Sequence, residues 1–407
     1  MQFADIAAHE LSSPIEPPQE REFYGGTRRL LKRDVVLVAV ETADGEVGYA
    51  PGGASSSAMR EYFSDATHSG FVDLLEEEIA PAFAGRDLDD AADVHAIVAE
   101  LDLPDLLESQ AASVLDVAYH DIFGKHHGAP IYELLGDGAD VARRLPLYAS
   151  AGMYMPPEGY AEQAAAIRER GFAGYKYRPG LGPEEDLRTI ELVREAVGEE
   201  MAVMVDAHTW WKLGERSYGF DRVCDLVEAF AEFDPYWVEE PVSPADYDAY
   251  ADLSSRTSVP LAGGESEESP EGLIELAETG GVDYLQGDVR HHAGYTGCWR
   301  AVEHCRGRDV TFVPHNFGTH LGLVANAHLA AAAPGTELLE YPVFGTDSAA
   351  MYPFPLAADI LTTELDISDG HLTLPDGPGL GVDVNLDAIG EYPYVEGPWT
   401  EFVYEES

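Results

Sequence analysis

From residue 144 to about 342, short strand-like runs alternate with stretches of helical periodicity, and this alternation restricts the chain to folds built on a parallel sheet. The runs are RLPLYASAG (144–152), GYKYR (174–178), MAVMVDAH (201–208), YWVEEP (236–241), PLAGGES (260–266), YLQGDV (284–289), TFVPHNF (311–317) and ELLEYP (337–342). Segments such as EDLRTIELVREAV and DRVCDLVEAFAEF between them carry apolar residues at helical spacing. Eight β/α units at spacings of 24 to 35 residues predict an α/β fold, a closed (β/α)8 barrel over residues 141–355. A doubly wound open sheet is the structural alternative, but no GxGxxG follows the first run to support it.

Residues 1–140 read differently. RRLLKRDVVLVAVETADGEVGYAPGG alternates apolar positions around an Asp-Gly turn and predicts an antiparallel sheet, and helical patterns follow in FVDLLEEEIAPAFAG and AASVLDVAYHDIFGKHHG. After about residue 355 the sequence returns to short strands and turns, as in LTLPDGPGLGVDVN. The expected organisation is an α+β domain over 1–140, with a tail of about 356–407 returning to it or to the barrel.

Catalytic groups of such barrels sit at the C-terminal ends of the strands. The strand ends here carry Lys176 and Arg178, Asp206 and His208, Glu239 and Glu240, Glu265, Asp288, His315 and Asn316, and Glu340. Asp206, Glu239 and Glu265 come from three consecutive strands, so their carboxylates can converge, and an all-oxygen set selects a hard cation such as Mg²⁺. Surface acids belong on helices and loops, so three at successive strand ends count against chance placement. Glu239 and Glu240 point to opposite sides of one strand, and the pattern alone does not choose between them. Asp288 and His315 lie on neighbouring strands, where an acid can fix the tautomer of a histidine and raise its pKa. Lys176 and Arg178 share a face aimed at the acids, and His208 shares the face of Asp206 as a second acid/base.

Charge composition narrows the partners. The chain has 24 Lys+Arg against 75 Asp+Glu, a net charge of −51, and Lys occurs only at 32, 125, 176 and 212. Such self-repulsion is shortened to roughly 3 Å in 1 M salt, and the balance fits a protein of an extreme halophile. So acidic a chain offers no footprint for nucleic acid or an anionic membrane. Cys224, Cys298 and Cys305 form no CxxC pair, which fits a reduced, cytoplasmic setting, and MQFADIAAHELSSP reads as no signal peptide.

Taken together, VMVDAH, WVEEP and AGGES resemble the three metal-ligand motifs of the enolase superfamily. LQGDV, FVPHNF and LLEYP resemble those of its mandelate racemase subgroup. The likeness runs over nearly the whole chain. It implies an α+β capping domain on a modified TIM barrel, a homo-oligomer, and Mg²⁺ held by Asp206, Glu239 and Glu265 against a substrate carboxylate. It also implies proton abstraction beside that carboxylate to give an enediolate, which Lys176 supports with its charge and a protonated Glu340 supports with a hydrogen bond. The subgroup often carries KxK on the second strand, whereas this chain has Lys176-Tyr177-Arg178. Arginine stays protonated, so a two-base racemase fits less well.

The resulting expectation is a Mg²⁺-dependent dehydratase of a sugar acid, with His315 as acid/base, Asp288 orienting it, His208 as a second acid/base, and Lys176 as the remaining candidate for the base. A racemase or epimerase is the alternative. A lactonizing enzyme lacks its expected Lys near the end of strand six, where Asp288 and Arg290 stand. A glycoside hydrolase would leave the acid triad unexplained. Specificity is expected in REFYGGTRR (21–29), around PGGASSSAM (51–59), and near Trp210 and Trp211.

Overall fold

The computed structural model describes residues 1–52, 59, 62–63, 67–136, 141–244 and 246–405. Strands β1 (Phe3–Phe23), β2 (Gly26–Thr42) and β3 (Val47–Gly52) form an antiparallel sheet. The Asp-Gly turn falls where expected, between Glu41 and Val47, with Gly45 at φ +88°, a value that favours glycine. Val36, Leu37, Val38 and Val40 of β2 are all fully buried, so the sheet is covered on both faces. The 23-residue helix Asp105–His127 packs closely against it: a Cβ on Gly48 of β3 would stand 2.4 Å from the Ala118 carbonyl.

Eight parallel strands follow, at the positions of the eight sequence runs. They are β4 (Arg144–Met153), β5 (Gly174–Arg178), β6 (Ala202–Asp206), β7 (Trp237–Glu239), β8 (Leu261–Gly263), β9 (Tyr284–Leu285), β10 (Thr311–Phe312) and β11 (Leu339–Pro342). Each pairs with the next from β4 to β10, and β11 returns to pair with β4, Glu340 opposite Tyr148. Among the described residues no backbone ladder joins β10 to β11. That seam is held by side chains: Thr336 Oγ1 donates to the Phe312 carbonyl at 2.7 Å, and Asn316 Nδ2 to the Glu340 carbonyl at 3.3 Å. The barrel is therefore a modified one. Its floor is a separate apolar cluster of Tyr148, Met204, Trp237, Ala262 and Val313, with the Tyr148 and Trp237 rings edge to face at 5.4 Å.

The tail visits both parts. Strands β12 (Asp366–Ser368) and β13 (His371–Thr373) form a hairpin, and β13 pairs with residues 144–146 of β4, just before the stretch that β11 occupies. Strand β14 (Thr400–Tyr404) then joins β2 antiparallel, with Thr400 opposite Leu30. No helix of the described residues is long and apolar enough to cross a membrane.

Candidate active site

Strand register sets the acids side by side. Asp206 pairs directly with Glu239 across β6 and β7, and Glu265, Asp288 and His315 follow the ends of β8, β9 and β10. Side chains two apart share a face, so the apolar floor and the acids form successive layers. Trp237 in the floor donates from Nε1 to Glu239 Oε2 at 3.1 Å.

The lower polar layer is fully enclosed. Lys176 Nζ donates to Glu239 at 2.8 and 3.1 Å and lies 2.8 Å from Glu340 Oε1, within ion-pair range. Gln286 Nε2 adds a bond to Glu239 Oε2 at 2.8 Å. Burial disfavours the Lys176 ammonium, but Glu239 and Glu340 outweigh it and hold its pKa well above the ordinary value. Lys176 is thus a fixed cation here. Glu340 belongs to this enclosed layer: it is 0% exposed, it is not among the residues that line the cavity, and Oε2 accepts from the Asn316 N–H at 3.0 Å.

Above this layer, Arg178 donates to Asp206 Oδ2 from Nε at 3.1 Å and Nη2 at 2.7 Å. His315 is held at both ring nitrogens, with Nδ1 2.9 Å from Asp288 Oδ2 and Nε2 2.8 Å from Glu265 Oε2. Burial works against the imidazolium, yet Glu265 and Asp288 outweigh it and raise His315 well above the usual histidine range. Asp288 is anchored in turn by Arg290, which folds back on it through Nε and Nη2, and by Asn326 Nδ2 at 3.0 Å. His208 Nδ1 lies 2.7 Å from Asp206 Oδ1 and 3.5 Å from Glu265 Oε1. Burial and the neighbouring Arg178 pull it down to about 4, so its ring is neutral at neutral pH. Both histidines thus contact Glu265, and their surroundings shift them in opposite directions, His208 down and His315 up.

Two carboxylate sets compete for a cation, and they share Glu265. The first is Asp206, Glu239 and Glu265. Burial, opposed by Lys176, together with the crowding of Asp206 and Glu265 pushes Glu239 up to about 7, the mark of acids packed more densely than the local cations neutralise. The second is His208, Glu240 and Glu265, the one group among the described residues whose ligand atoms are found all within 4.8 Å of one another. Glu240 has a left-handed backbone at φ +43°, which turns its carboxylate onto Ser266, accepting from N at 3.0 Å and from Oγ at 2.7 Å. Burial and Glu265 push it up to about 8. The second set mixes an imidazole nitrogen with two carboxylates, whereas the first is all oxygen and suits Mg²⁺ better.

A cavity of about 430 Å³ opens over these groups, and Arg178, His208, Glu265 and His315 line it. Lys176, Asp206, Glu239 and Asp288 lie beneath them. Three cations on the cavity wall were absent from the strand-end reading: Lys212, Arg28 and Arg33. Lys212 sits with Nζ 4.3 Å from the Trp211 ring centroid, and burial lowers its pKa against the pull of Glu240 and Glu265. Lys212 was already conspicuous as one of four lysines. Arg28 and Arg33 stand in GTRRLLKRD (26–34), a basic stretch in an acidic chain. Of the expected specificity segments, 21–29 reaches the cavity through Arg28. Trp211 lines it, and Trp210 turns into the core to bond Asp186 at 3.1 Å. Residues 53–58 of the 51–59 segment lie outside the described residues.

Two family models cover most of the chain: "Mandelate racemase / muconate lactonizing enzyme, N-terminal domain" over residues 25–136, and "Enolase C-terminal domain-like" over residues 159–388. The D-galactarolactone cycloisomerase of Agrobacterium fabrum is 30% identical over 404 residues, covering 96% of this chain and 99% of that protein. The arabinonate dehydratase of Saccharolobus solfataricus is 28% identical, covering 69% and 71%. A crystal structure of an enolase superfamily member from Polaromonas sp. JS666 matches with a TM-score of 0.81 at 27% identity, covering 98% of this chain and 99% of that one.

Proposed function

The chain belongs to the enolase superfamily, in its mandelate racemase and muconate lactonizing branch, and is an enzyme; we propose that it eliminates an oxygen from the carbon next to the acidic carbon of a sugar acid. The observation that carries this reading is the opposed pair of histidines in one cavity, His315 clamped between Asp288 and Glu265, and His208 beside Asp206. An elimination needs one group to take a proton and one to give a proton to the departing oxygen, and groups driven apart in protonation are suited to those two tasks.

Lys176 and Arg178 are each locked onto carboxylates and serve as fixed positive charge, not as bases. His208, neutral, accepts the proton from the carbon beside the substrate carboxylate. His315, protonated and held in place at Nδ1 by Asp288, donates from Nε2 to the leaving oxygen. Arg178 and Lys212 on the cavity wall attract the substrate's carboxylate and hydroxyls. Asp206, Glu239 and Glu265 would hold Mg²⁺, which supplies charge stabilisation for the developing dianion. Loss of a hydroxyl gives a 2-keto-3-deoxy acid and water, and this dehydration is the preferred form of the reaction.

A second form is favoured by the 30% identical relative, which is named a cycloisomerase. Where the departing oxygen belongs to a lactone ring, it stays in the product and the outcome is an isomer. The same two histidines serve both. A glycoside hydrolase loses its footing with the family assignment. Incubation with a panel of aldonic acids, aldaric acids and their lactones tests the proposal. A 2-keto-3-deoxy product should appear, vanish with EDTA and return with Mg²⁺. Comparable turnover in EDTA refutes the metal role, and deuterium uptake with inversion and no elimination makes the protein an epimerase.

A further inference from the structure

Five Lys or Arg residues are buried among the described residues: Arg28, Lys32, Arg33, Lys176 and Arg290. Three of them meet a carboxylate, Lys32 on Asp34 at 3.1 Å, Lys176 on Glu239 at 2.8 Å, and Arg290 on Asp288. Arg28 and Arg33 do not. The other two cations of the same stretch are also paired, since Arg29 reaches Glu401 at 3.3 Å and Lys32 has Asp34. Among the described residues of a chain with 75 Asp and Glu, these two buried guanidiniums meet no carboxylate.

Their surroundings are aromatic. The Arg28 and Arg33 guanidinium carbons lie 4.9 and 4.7 Å from the centroid of the Trp399 ring, so one indole bridges the two. Phe402 stands 5.1 Å from Arg28, and Phe317, two residues beyond His315, stands 5.3 Å from Arg33. Arg28 spends Nε on Thr400 Oγ1 at 3.1 Å and Nη1 on Met153 Sδ at 3.2 Å. Arg33 makes no side-chain hydrogen bond among the described residues, and its Nε is buried without a partner. Aromatic faces return only part of what desolvating a cation costs. A buried guanidinium is planar, permanently charged and forked, and a carboxylate is the complementary group. Both arginines line the cavity that also holds Arg178, Glu265 and His315.

We propose that Arg28 and Arg33 form a subsite for a second carboxylate, so that the substrate is a dicarboxylic sugar acid of the aldaric class, or its monolactone, and not an aldonic acid. The proposal rests on the sugar-acid reading above and names its substrate class. One carboxylate lies at the acid cluster beside the reacting carbon. The other lies against the arginines, where the aldonic acid would place a neutral CH₂OH.

The test is calorimetric titration of the Mg²⁺-loaded protein, and of the metal-free protein, with two matched pairs: galactaric against galactonic acid, and glucaric against gluconic acid. The diacid should bind at least 30-fold tighter within one pair, and Arg33→Gln should lower that ratio at least tenfold, with Arg33→Lys restoring part of it. A wild-type ratio near one in both pairs overturns the subsite, and so does Arg33→Gln weakening both members equally. Stronger binding of 6-phosphogluconate than of either diacid overturns its assignment to a carboxylate. If Arg33→Gln does not fold, the wild-type ratios decide alone. Loss of substrate deuterium or its uptake from D₂O is followed in parallel. A diacid preference with no exchange keeps the subsite and removes the elimination reading. Exchange that is as fast on aldonic as on aldaric acids keeps that reading and removes the subsite.

Discussion

Replacing Glu239 by Gln and, separately, Glu240 by Gln distinguishes the two carboxylate sets that share Glu265. Glu239 accepts on both oxygens, from Lys176 on one and from Trp237, Gln286 and Lys176 on the other. An amide offers one acceptor and one donor, so Glu239→Gln sets an NH₂ against either an ammonium or two N–H groups in a fully buried place. Breaking a buried pair in this way costs about 3–5 kcal/mol. Glu240, pushed up to about 8, is largely protonated at pH 7, so an amide replaces a group already neutral. Its bonds also survive, because Ser266 N still meets an oxygen and Ser266 Oγ can accept from the new NH₂. That change should cost under about 1 kcal/mol.

Mg²⁺ affinity should follow the same division. Loss of outer partners to a metal ligand costs about 10–100-fold, so loss of a ligand at Glu239 should exceed about 100-fold, against a few-fold for Glu240→Gln. Protons compete with the cation for a carboxyl that titrates at about 7, so wild-type affinity should rise with pH through 7 and level off above about 8. Calorimetric titration with MgCl₂ at pH 6, 7 and 9, alongside urea unfolding of each variant, measures both effects. Glu240→Gln losing as much Mg²⁺ affinity as Glu239→Gln would refute the reasoning and place the cation on His208, Glu240 and Glu265.

Three further outcomes are expected. Asp288→Asn removes the anion that helps raise His315, so the imidazole pKa should fall by NMR titration and kcat by about 10²–10⁴-fold, and an unmoved His315 titration contradicts the dyad. Arg178→Met should raise KM for the acid substrate, and Arg178→Lys should recover only part of the loss because a lysine lacks the fork that grips Asp206; full recovery means that charge alone matters. Asp186 is fully buried, and burial pushes it up to about 6, above the ordinary aspartate range. The folded state therefore takes up this proton before the unfolded chain does. Wild type should gain on Asp186→Asn by up to about 3 kcal/mol in urea unfolding as the pH falls from 7 to 4, and a difference independent of pH contradicts the shift.

The barrel was legible because its strands announce themselves twice, as apolar runs and as runs that end in ionisable groups. Asp206, Glu265, Asp288 and His315 could be placed by position alone, since a parallel strand end is a fixed point in the fold. Glu239 and Glu240 could not be told apart by alternation, because the decisive feature is the left-handed turn at Glu240, which no local pattern signals. The surroundings of Glu340 were hidden for a related reason. Its strand position is visible in the sequence, but its depth and its contact with Lys176, 164 positions away in the numbering, come from packing. Arg28 fell inside the expected specificity segment 21–29, but Arg33 was passed over because attention to strand ends of the barrel passes over a sheet that covers it. The basic stretch 26–34 carried the signal, and only the side-chain partners separate Arg28 and Arg33 from Arg29 and Lys32.

The pairing of β14 with β2 joins residues 372 positions apart, Thr400 Oγ1 and Arg28 among them. Trp399, immediately before that strand, is the ring between the two arginines that meet no carboxylate among the described residues. During synthesis the barrel strands can associate as they emerge, but the wall of the cavity cannot form until residues 399–404 have left the ribosome and travelled back to a sheet made at the outset. A chain that stops a few residues short would keep its eight strands and both histidines, and would lack the indole that sets the arginines. The proposed subsite therefore waits on the pairing of β14 with β2, and a chain in which that pairing has not formed carries the reactive groups without the ring that sets the two arginines.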